Sequence, residues 1–394
     1  MKNELIVQKY GGATLADPEK IKQVARRIYN LHQSGSKIVV IVSAMGETTN
    51  QLIKLAQQVS SRPHLRELDM LLTTGERVSM ALLSMALNDL GCPAISFTGS
   101  QAGIITDDSH VNANIIDVKA FRVEEALKAD KVVILAGFQG VSQNTKEITT
   151  LGRGGSDITA VAIAGYLKAD RCEILKDVEG VFTADPKLVK NARPLRRLNF
   201  QHLLEMTSWG AKVLHHRSVK LAAEKNVQLY IGAATDTNST GTTVSNNYDH
   251  ELQSILAINS YSQVYQITFL KNKEAEQVQF NSFLQKNQIG ELQLLHSDQS
   301  DFYFTAPAET LVSLSSFEKK QDYFKIQNEN LASVSVTYAT SVAEVDLTTL
   351  KGLLEKHKIK LIKTFHTKNS LHFFVEHQQK NEAIQYLHDS IKSR

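Results

Sequence analysis

A glycine-rich run at Thr149–Asp157 (TTLGRGGSD) constrains the fold of this chain more than any other stretch. Three glycines within four residues allow a sharp turn and let backbone N–H groups approach a ligand closely. The apolar segment Ile158–Leu167 predicts a helix directly after the run, with Ser156 or Asp157 as its cap. The N–H groups at a helix N-terminus attract anions, and Arg153 adds a planar cation that suits a carboxylate or a phosphate. On its own, such a run more often forms a plain turn with a surface arginine, so the interpretation depends on the rest of the chain.

Length and charge limit the classes of protein to which the chain can belong. Its 394 residues, of which 42% are hydrophobic and 22% charged, are enough for a sizeable core and for two or three domains. The net charge of +3, from 44 basic and 41 acidic residues, is too small to indicate nucleic acid or an anionic membrane as a partner. Any anion site must therefore be built locally.

The cysteines and the N-terminal residues predict the cellular compartment. Cys92 and Cys172 belong to no CxxC motif and to no Cys/His cluster, so we expect buried free thiols in a reducing environment. The N-terminal residues form no long apolar segment, and no stretch approaches the ~18 apolar residues of a membrane span. We therefore expect a cytoplasmic protein that does not contact a membrane.

Over about 230 residues, apolar strand patterns alternate with amphipathic helix patterns. Continuous apolar runs such as Lys37–Val42 and Val132–Ala136 are typical of strands buried on both faces. This order favours an α/β sandwich with a mainly parallel sheet. The other predicted strands are Leu5–Val7, Ala94–Phe97, Ile104–Thr106, Arg171–Leu175 and, as the final one, Val227–Ile231.

Turns that carry glycine, hydroxyl and charged residues follow these strands. Lys9 precedes Gly11 and Gly12, an arrangement that suits a phosphate, although a plain strand-to-helix turn fits equally well. Small hydroxyl residues follow Val42, at the strand end where open α/β sheets bind ligands. A break in the next helical region places Glu76 beside Arg77, which indicates either a functional carboxylate or a simple surface ion pair.

The composition changes beyond the α/β part. Residues 236–250 are rich in Asn, Thr, Ser and Gly without periodicity, which predicts a linker. The remaining residues resemble two βαββα units, and Ser254–Ala257 is a candidate for the missing closing strand. The predicted strands are Gln266–Leu270, Leu292–Leu295, Phe302–Thr305, Ala332–Tyr338, Lys360–Phe365 and Leu371–Val375, and the predicted helices are Lys273–Gln285, Ala308–Leu314, Ser341–His357 and Asn381–Ile391.

Seven short motifs follow one another along the α/β part. They are KYGG at Lys9–Gly12, VSAMGETT at Val42–Thr49, TTGE at Thr73–Glu76, AGFQG at Ala136–Gly140, TTLGRGGSD at Thr149–Asp157, KDVEGVFTADPK at Lys176–Lys187 and GAKVLH at Gly210–His215. Each is weak alone, but together and in this order they resemble the aspartate kinases of the amino-acid kinase family. The resemblance implies a three-layer α/β/α kinase domain at 1–245 and two interleaved ferredoxin-like modules of the ACT type at 251–394.

The resemblance also implies an activity and a set of site residues. The activity is ATP-dependent phosphorylation of the side-chain carboxylate of L-aspartate to 4-phospho-L-aspartate, with Mg²⁺, as the first step towards lysine, threonine and methionine. Lys9 and Asp157 are the implied catalytic residues. The implied ATP-binding residues are Lys9, Tyr10, Gly11, Gly12, Lys176, Asp177, Phe182, Asp185, Lys187 and Lys212. The implied aspartate-binding residues are Ser43, Thr49, Glu76, Phe138, Arg153, Gly154, Gly155 and Ser156.

The chain departs from the pattern of the family at several positions. Ala13 replaces a usual Thr, Lys187 a usual Arg and His216 a usual Pro, and we expect the first two to weaken nucleotide binding without abolishing it. The glycine-bearing effector loops of ACT modules match stretches here, 271–276 and 339–345, that contain no glycine. We therefore expect modules that chiefly form a homodimer or a larger homo-oligomer, with weak or absent inhibition by lysine or threonine.

Two alternatives to an aspartate kinase remain open. One is a related kinase that acts on another small acid. The other is a non-catalytic sensor of an amino acid or a nucleotide, although the charges of Lys9, Arg153, Asp157 and Lys212 count against it. The adjacent His215 and His216 point in different directions on a helix or strand, which favours a structural role over a metal site.

Overall fold

The computed structural model describes residues 4–235, 240–248, 255–269, 273–286, 293–297, 301–306, 324–342 and 344–391 of the chain. Contacts divide the chain into two units. The first comprises Met1–Val181, Pro194–Leu204 and Lys212–Asp249, and the second comprises Phe182–Arg193, Glu205–Ala211 and His250–Arg394. Among the described residues, no helix combines the length and the apolar character needed to cross a bilayer.

An eight-stranded, mainly parallel sheet organises the first unit. Its strand order is β12-β14-β13-β9-β1-β2-β6-β3, and all neighbouring strands are parallel except β13 and β14. The strands are β1 (Leu5–Tyr10), β2 (Lys37–Val42), β3 (Ala94–Phe97), β6 (Val132–Ala136), β9 (Arg171–Lys176), β12 (Arg197–Leu198), β13 (Leu229–Ala233) and β14 (Thr242–Val244). The continuous apolar runs of β2 and β6 are buried on both faces, as the sequence predicts.

Helices cover both faces of this sheet and complete three layers. The helices of this part of the chain are α1 (Pro18–Gln33), α2 (Thr48–Val59), α3 (Leu65–Leu72), α4 (Thr74–Asp89), α5 (Phe121–Lys128), α6 (Gly155–Leu167), α7 (Phe200–Ser208) and α8 (His216–Lys225), and the last four residues of α7 belong to the second unit. Alternate residues of β2, such as Val40, share an apolar cluster with Ile28 of α1 and Leu83 of α4. Ile41, on the other face of β2, lies near the start of α6. The expected α/β/α sandwich is therefore confirmed.

A smaller four-stranded sheet of the first unit was not predicted. Its order is β5-β4-β7-β8, from β4 (Ile104–Thr106), β5 (Ile115–Val118), β7 (Gln139–Ser142) and β8 (Ile148–Thr150). Of these four strands, only β4 is predicted from the sequence. The sheet bears on the candidate site because β8 contains Thr149 and Thr150, the first two residues of the glycine-rich run.

An antiparallel sheet of six strands organises the second unit, in the order β16-β17-β15-β18-β20-β19. The strands are β15 (Ile255–Phe269), β16 (Gln293–Ser297), β17 (Asp301–Thr305), β18 (Phe324–Tyr338), β19 (Leu361–His366) and β20 (Ser370–Glu376), and the helices are α9 (Lys273–Lys286), α10 (Glu344–Lys356) and α11 (Lys380–Ile391). The short β10 (Val181–Phe182) and β11 (Pro194–Leu195) precede them in the chain. The sheet fits the expected α+β class of this part.

Several sequence predictions need correction. Thr242–Val244 lies in the predicted linker but forms β14, and the predicted final strand at Val227–Ile231 is displaced to Leu229–Ala233. Residues 266–269 of the predicted strand Gln266–Leu270 are only the end of β15, which begins at Ile255 and pairs there with Tyr338, and Leu270 lies outside the described residues. The first residue of that strand falls within Ser254–Ala257, where the sequence suggested a closing strand. The predicted helix at Ala308–Leu314 lies outside the described residues.

Candidate active site

The carboxyl ends of four adjacent parallel strands place the candidate residues at one edge of the main sheet. Lys9 of β1 is in register with Ile41 of β2 and with Ile174 of β9, and β6 pairs with the other side of β2. Because parallel strands end at the same edge, the turns after β9, β1, β2 and β6 become neighbours. The helix α6 begins at this edge and contacts the turn after β6.

A buried ion pair joins β1 to α6. The Lys9 Nζ lies 2.7 Å from the Asp157 Oδ1, and the two residues are only 7% and 5% exposed. Burial by itself raises the pKa of the Asp157 carboxyl, but the attraction of Lys9 and Lys176 outweighs it and holds that pKa below its ordinary value. Asp157 is therefore ionised at neutral pH and fixes the Lys9 ammonium at the edge of the sheet.

A second cation, Lys176, lies at the end of β9 close to this pair. Its Nζ donates to the backbone oxygen of Val213 at 2.6 Å. Burial, assisted by the repulsion of Lys9, lowers the pKa of Lys176, and the attraction of Asp157 opposes that change. Two lysines thus share one buried carboxylate, which leaves a net positive charge where a phosphate can bind.

Glycines let the backbones of this edge approach each other. A Cβ at Gly12 would lie 2.8 Å from the Ala44 oxygen, and a Cβ at Gly75 would lie 2.8 Å from the Ala44 Cβ. The Lys9 Nζ lies 3.8 Å from the position of a Cβ on Gly11, so the ammonium sits over the glycine turn. The turns after β1 and β2 and the first turn of α4 are therefore in direct contact.

The glycine-rich run has the left-handed backbone that its sequence requires. Gly154, at φ +72°, is the residue before α6, and a Cβ there would lie 2.2 Å from the His215 Cβ. A Cβ at Gly155 would lie 2.8 Å from the Phe138 ring. The predicted helix after the run is confirmed, with Gly154 rather than Ser156 or Asp157 in the cap position. Ser156 and Asp157 are buried in the first turn of α6.

Glu76 is a buried carboxylate with one oxygen unsatisfied. It is 3% exposed, and its Oε1 accepts a hydrogen bond from the Ala44 N–H at 3.1 Å. Its Oε2 is buried and has no hydrogen-bond partner among the described residues. Burial raises the pKa of Glu76 to about 7. The suggested surface pair with Arg77 is therefore wrong, because the carboxylate turns inward to the turn after β2.

The other predicted residues of the first unit lie on the elements that form this edge. Ser43 follows β2 and its N–H bonds to the Tyr10 oxygen, while Thr49 lies in α2 and Phe138 is half-buried at φ +70°. Arg153 and Lys212 have exposed side chains. The Tyr10 side chain is fully buried and its hydroxyl donates to Gln8, so only the backbone of Tyr10 is available to a ligand.

Three of the predicted nucleotide-binding residues do not belong to the unit that contains this edge of the main sheet. Phe182, Asp185 and Lys187 belong to the second unit, where the Asp185 Oδ1 accepts a hydrogen bond from the Lys187 N–H at 2.9 Å. Their role as nucleotide ligands, and that of Asp177 after β9, stays a prediction.

The two adjacent histidines have the structural environment that their spacing favours. His215 caps α8 by accepting a hydrogen bond from the Arg217 N–H at 3.4 Å. Burial, more than any other influence, lowers the pKa of His216. Among the residues that the structure describes, no three His, Cys, Asp or Glu side chains form a metal-binding cluster.

Sequence reasoning overlooked two residues that brace the glycine-rich run. The buried Asp69 of α3 accepts hydrogen bonds from the Thr150 hydroxyl at 2.6 Å and from the Val111 N–H at 3.1 Å. Arg217 of α8 donates to the Leu151 oxygen at 2.8 Å. Neither residue belongs to one of the seven motifs, and these partners lie 42 or more residues away along the chain, so no local signal marks them.

These features define a class: an α/β protein whose parallel sheet brings lysines, glycine turns and a helix N-terminus together at its carboxyl edge, an arrangement that suits an anion. The amino acid kinase family model matches residues 4–233. The chain belongs to the amino acid kinase family.

Individual relatives extend this finding. An aspartokinase of Mycolicibacterium smegmatis is 56% identical over 227 residues, which cover 58% of this chain and 54% of that protein. Aspartokinase 2 of Bacillus subtilis (strain 168) is 38% identical over 402 residues, with 98% of each chain covered. The chain matches about half of the first relative's length and nearly all of the second's. The solved structure of E. coli aspartokinase III in complex with aspartate and ADP superimposes with a TM-score of 0.81 at 22% identity, over 99% of this chain and 100% of that one, and so supports the fold.

Gly154→Ala is expected to damage the start of α6. A methyl group there overlaps the His215 Cβ, and the φ of +72° strains any other residue, so we expect a loss of about 1–3 kcal/mol in the free energy of unfolding. Gly352→Ala is the matched control, because it adds a methyl group in open space on α10 and should be neutral or slightly stabilising. Urea unfolding of both variants measures the difference. Equal midpoints for Gly154→Ala and the wild type would contradict the packing described for this run.

Proposed function

We propose that the protein is an aspartate kinase, which transfers the γ-phosphoryl group of ATP to the side-chain carboxylate of L-aspartate and forms 4-phospho-L-aspartate. The observation that carries the proposal is the buried Lys9–Asp157 pair, with Lys176 beside it, at a glycine-lined edge that also contains the unsatisfied Glu76 carboxylate. Lys9 and Lys176 supply positive charge for a phosphate, and Asp157 fixes Lys9 in place. Glu76 supplies a partner for a substrate ammonium.

The phosphate side of the site consists of lysines and backbone amides. Lys9, whose Nζ lies over Gly11, and Lys176 would neutralise the phosphates of ATP beside the turn of Gly11 and Gly12. Lys212 is exposed on the segment that carries the Val213 oxygen, which binds Lys176. Tyr10 would contribute its backbone alone. Asp177, Phe182, Asp185 and Lys187 complete the proposed nucleotide site.

The amino-acid side of the site requires one group for each charge of a zwitterion. Glu76 would bind the ammonium of aspartate, and Arg153 would bind its α-carboxylate as a planar fork. Gly154, Gly155 and Ser156 would present the N-terminus of α6 to the same anionic end. Ser43, Thr49 and Phe138 would line the remainder of the pocket.

The chemistry needs no general base, because the attacking carboxylate is already ionised at neutral pH. Catalysis then consists of aligning the carboxylate with the γ-phosphoryl group and neutralising charge in the transition state. The residues fit a Mg²⁺ ion that ATP carries: Mg²⁺ commonly uses one or two carboxylates together with substrate phosphates, and Asp157 is an ionised carboxylate 2.7 Å from the Lys9 Nζ. The ion would supply further neutralisation of the phosphate charge.

Substrate turnover tests the proposal directly. In a coupled ATP assay we expect turnover with aspartate and not with glutamate or acetylglutamate. Lys9→Ala should lower kcat by about 10²–10³-fold, because it removes a fixed charge at the transferring phosphate. Lys22→Ala, which removes an exposed lysine paired with Glu19 on α1, should leave kcat unchanged. Turnover with another acid alone would replace aspartate as the substrate, and full activity of Lys9→Ala would favour a sensor.

The raised pKa of Glu76 gives an expected pH profile. Below pH 7 the carboxyl is mostly neutral and cannot bind an ammonium ion, whereas above pH 7 it is an anion. We therefore expect kcat/KM for aspartate to fall about ten-fold from pH 8 to pH 6. Glu76→Gln should have a low kcat/KM that no longer follows this profile, while Glu19→Gln on the surface of α1 should keep the wild-type profile. A flat wild-type profile over this range would remove Glu76 from ammonium binding.

For the second unit, we propose two interleaved ACT-like modules at 251–394, after a kinase domain at 1–245, that join chains into a homodimer or larger homo-oligomer. The antiparallel sheet of this unit supports such modules. Because the stretches that match effector loops lack glycine, lysine and threonine should bind weakly or not at all. Isothermal titration with each amino acid measures this, and tight, saturable binding of either one would contradict it. We place the enzyme in the cytoplasm, with no membrane or nucleic-acid partner.

A further inference from the structure

We propose that Arg217 is a positioning residue that holds the glycine-rich run in the geometry that binds the amino-acid substrate. The inference rests on the proposed function, because it assigns Arg217 to the support of Arg153 and of the start of α6. Arg217 lies in the first turn of α8 and is half-buried. It does not belong to the substrate-binding residues themselves.

The run has little support of its own. Gly152 and Gly154 both have a left-handed backbone, at φ +73° and +72°, and the exposed Arg153 lies between them. Within the run, the Gly155 N–H bonds to the Gly152 oxygen at 3.0 Å. Two glycines flanking an arginine leave its backbone free to move unless neighbouring elements fix it. The geometry of Arg153 therefore depends on what holds the residues before it.

Leu151, the residue before the run turns, is held on both sides. Its N–H donates to the Phe138 oxygen at 2.9 Å, and its oxygen accepts the Arg217 Nη1 at 2.8 Å. The first bond ties Leu151 to the turn after β6. The second ties it to α8, so Arg217 fixes the position of Leu151, the residue directly before the three glycines and Arg153.

The guanidinium of Arg217 also binds the neighbouring segment at 112–114. Its Nη1 donates to the Asn112 Oδ1 at 2.7 Å, and its Nη2 donates to the Ala113 oxygen and the Asn114 Oδ1, both at 3.0 Å. One planar fork thus makes four hydrogen bonds and joins two segments. A lysine, with a single nitrogen, cannot reproduce that bridge.

The bonds of Arg217 all go to neutral oxygens. Among the described residues no carboxylate lies within ion-pair distance of Arg217, although surface arginines such as Arg66 and Arg171 of this chain have such partners. The role of Arg217 is therefore geometric, and its uncompensated charge lies beside the residues proposed to bind an anion.

The residues around this bridge leave the run little room. The Asn112 Oδ1, which Arg217 binds, lies 2.7 Å from the position of a Cβ on Gly152. The His215 Cβ lies 2.2 Å from the corresponding position on Gly154. The start of α8 therefore contacts the run directly at one glycine and, through Asn112, at the other.

The fold does not depend on this bridge, because Asp69 joins the same two segments. Asp69 binds Thr150 and Val111, each one residue before a partner of Arg217. The four-stranded sheet that leads into the run stays joined to α3 through these bonds when Arg217 is altered. Arg217→Lys should therefore fold.

Arg217→Lys is the central test. We expect KM for aspartate to rise about ten-fold, with KM for ATP and kcat within about two-fold, because a small misplacement of a binding group is costly. Arg27→Lys is the matched control: the Arg27 Nη1 donates to the Ala233 and Ala234 oxygens at 3.0 and 2.8 Å, and it contacts no part of the run. It should leave KM for aspartate unchanged even where it lowers the unfolding temperature.

A double-mutant cycle separates positioning from general stability. If Arg217 acts through Arg153, adding Arg217→Lys to Arg153→Lys should raise KM for aspartate by less than about two-fold further, because the group it positions is already lost. Two independent effects that multiply would overturn the proposal. An unchanged KM in Arg217→Lys alone would overturn it as well.

Amide hydrogen exchange at residues 151–156 gives a readout that needs no substrate. We expect exchange about ten-fold faster in Arg217→Lys than in the wild type or in Arg27→Lys. If the wild type does not phosphorylate aspartate, the proposed function fails, and the exchange rates still decide whether Arg217 holds the run. Unchanged exchange in Arg217→Lys would show that it does not.

Discussion

The buried ion pair between Lys9 and Asp157 is the interaction on which the site depends. Each charge would be costly to bury alone, and each comes from a different element, so the pair fixes the end of β1 to the first turn of α6. The nearby Lys176 shares the same carboxylate, and the cluster keeps a surplus of positive charge. A triphosphate would neutralise that surplus. The ion pair thus positions α6, whose N-terminus faces the proposed amino-acid pocket. It also holds Lys9 where its positive charge can contribute to the proposed phosphate site.

Much of the first unit was predictable from the sequence because its strands are continuous apolar runs. The bounds of β2 and β6 agree with the prediction, since a strand buried on both faces needs apolar residues throughout. β5, β7 and β8 were missed because they are short and contain polar residues, such as Asp117 and Thr149, whose strand conformation depends on tertiary pairing. β14 was missed because its composition is that of a loop.

Features of the candidate site that depend on neighbouring residues in the chain were predictable from the sequence, whereas features that depend on residues far apart in the chain were not. Glycines and charges within a motif indicate their role locally, so the run before α6 and the turn after Lys9 were identified. The inward direction of Glu76 was not, because the Ala44 N–H that it binds is 32 residues away. The hydrogen bonds of Arg217 join it to Leu151, 66 residues away, and to Asn112, 105 residues away, and no local sequence pattern indicates them. Contacts of that length become visible only when the fold brings the segments together.

The start of α8 connects the two sides of the proposed site. The Val213 oxygen binds Lys176 on the phosphate side, whereas the His215 Cβ contacts Gly154, and Arg217 binds Leu151, on the amino-acid side. Three residues of the five-residue segment 213–217 therefore contact residues of both proposed binding sites. Gly154 packs tightly against His215, so a movement of the segment 213–217 that displaced Lys176 would also displace the glycine-rich run. In a phosphoryl transfer without a general base, alignment of the two substrates is the main catalytic task, and a single segment that contacts residues of both proposed binding sites would serve that task.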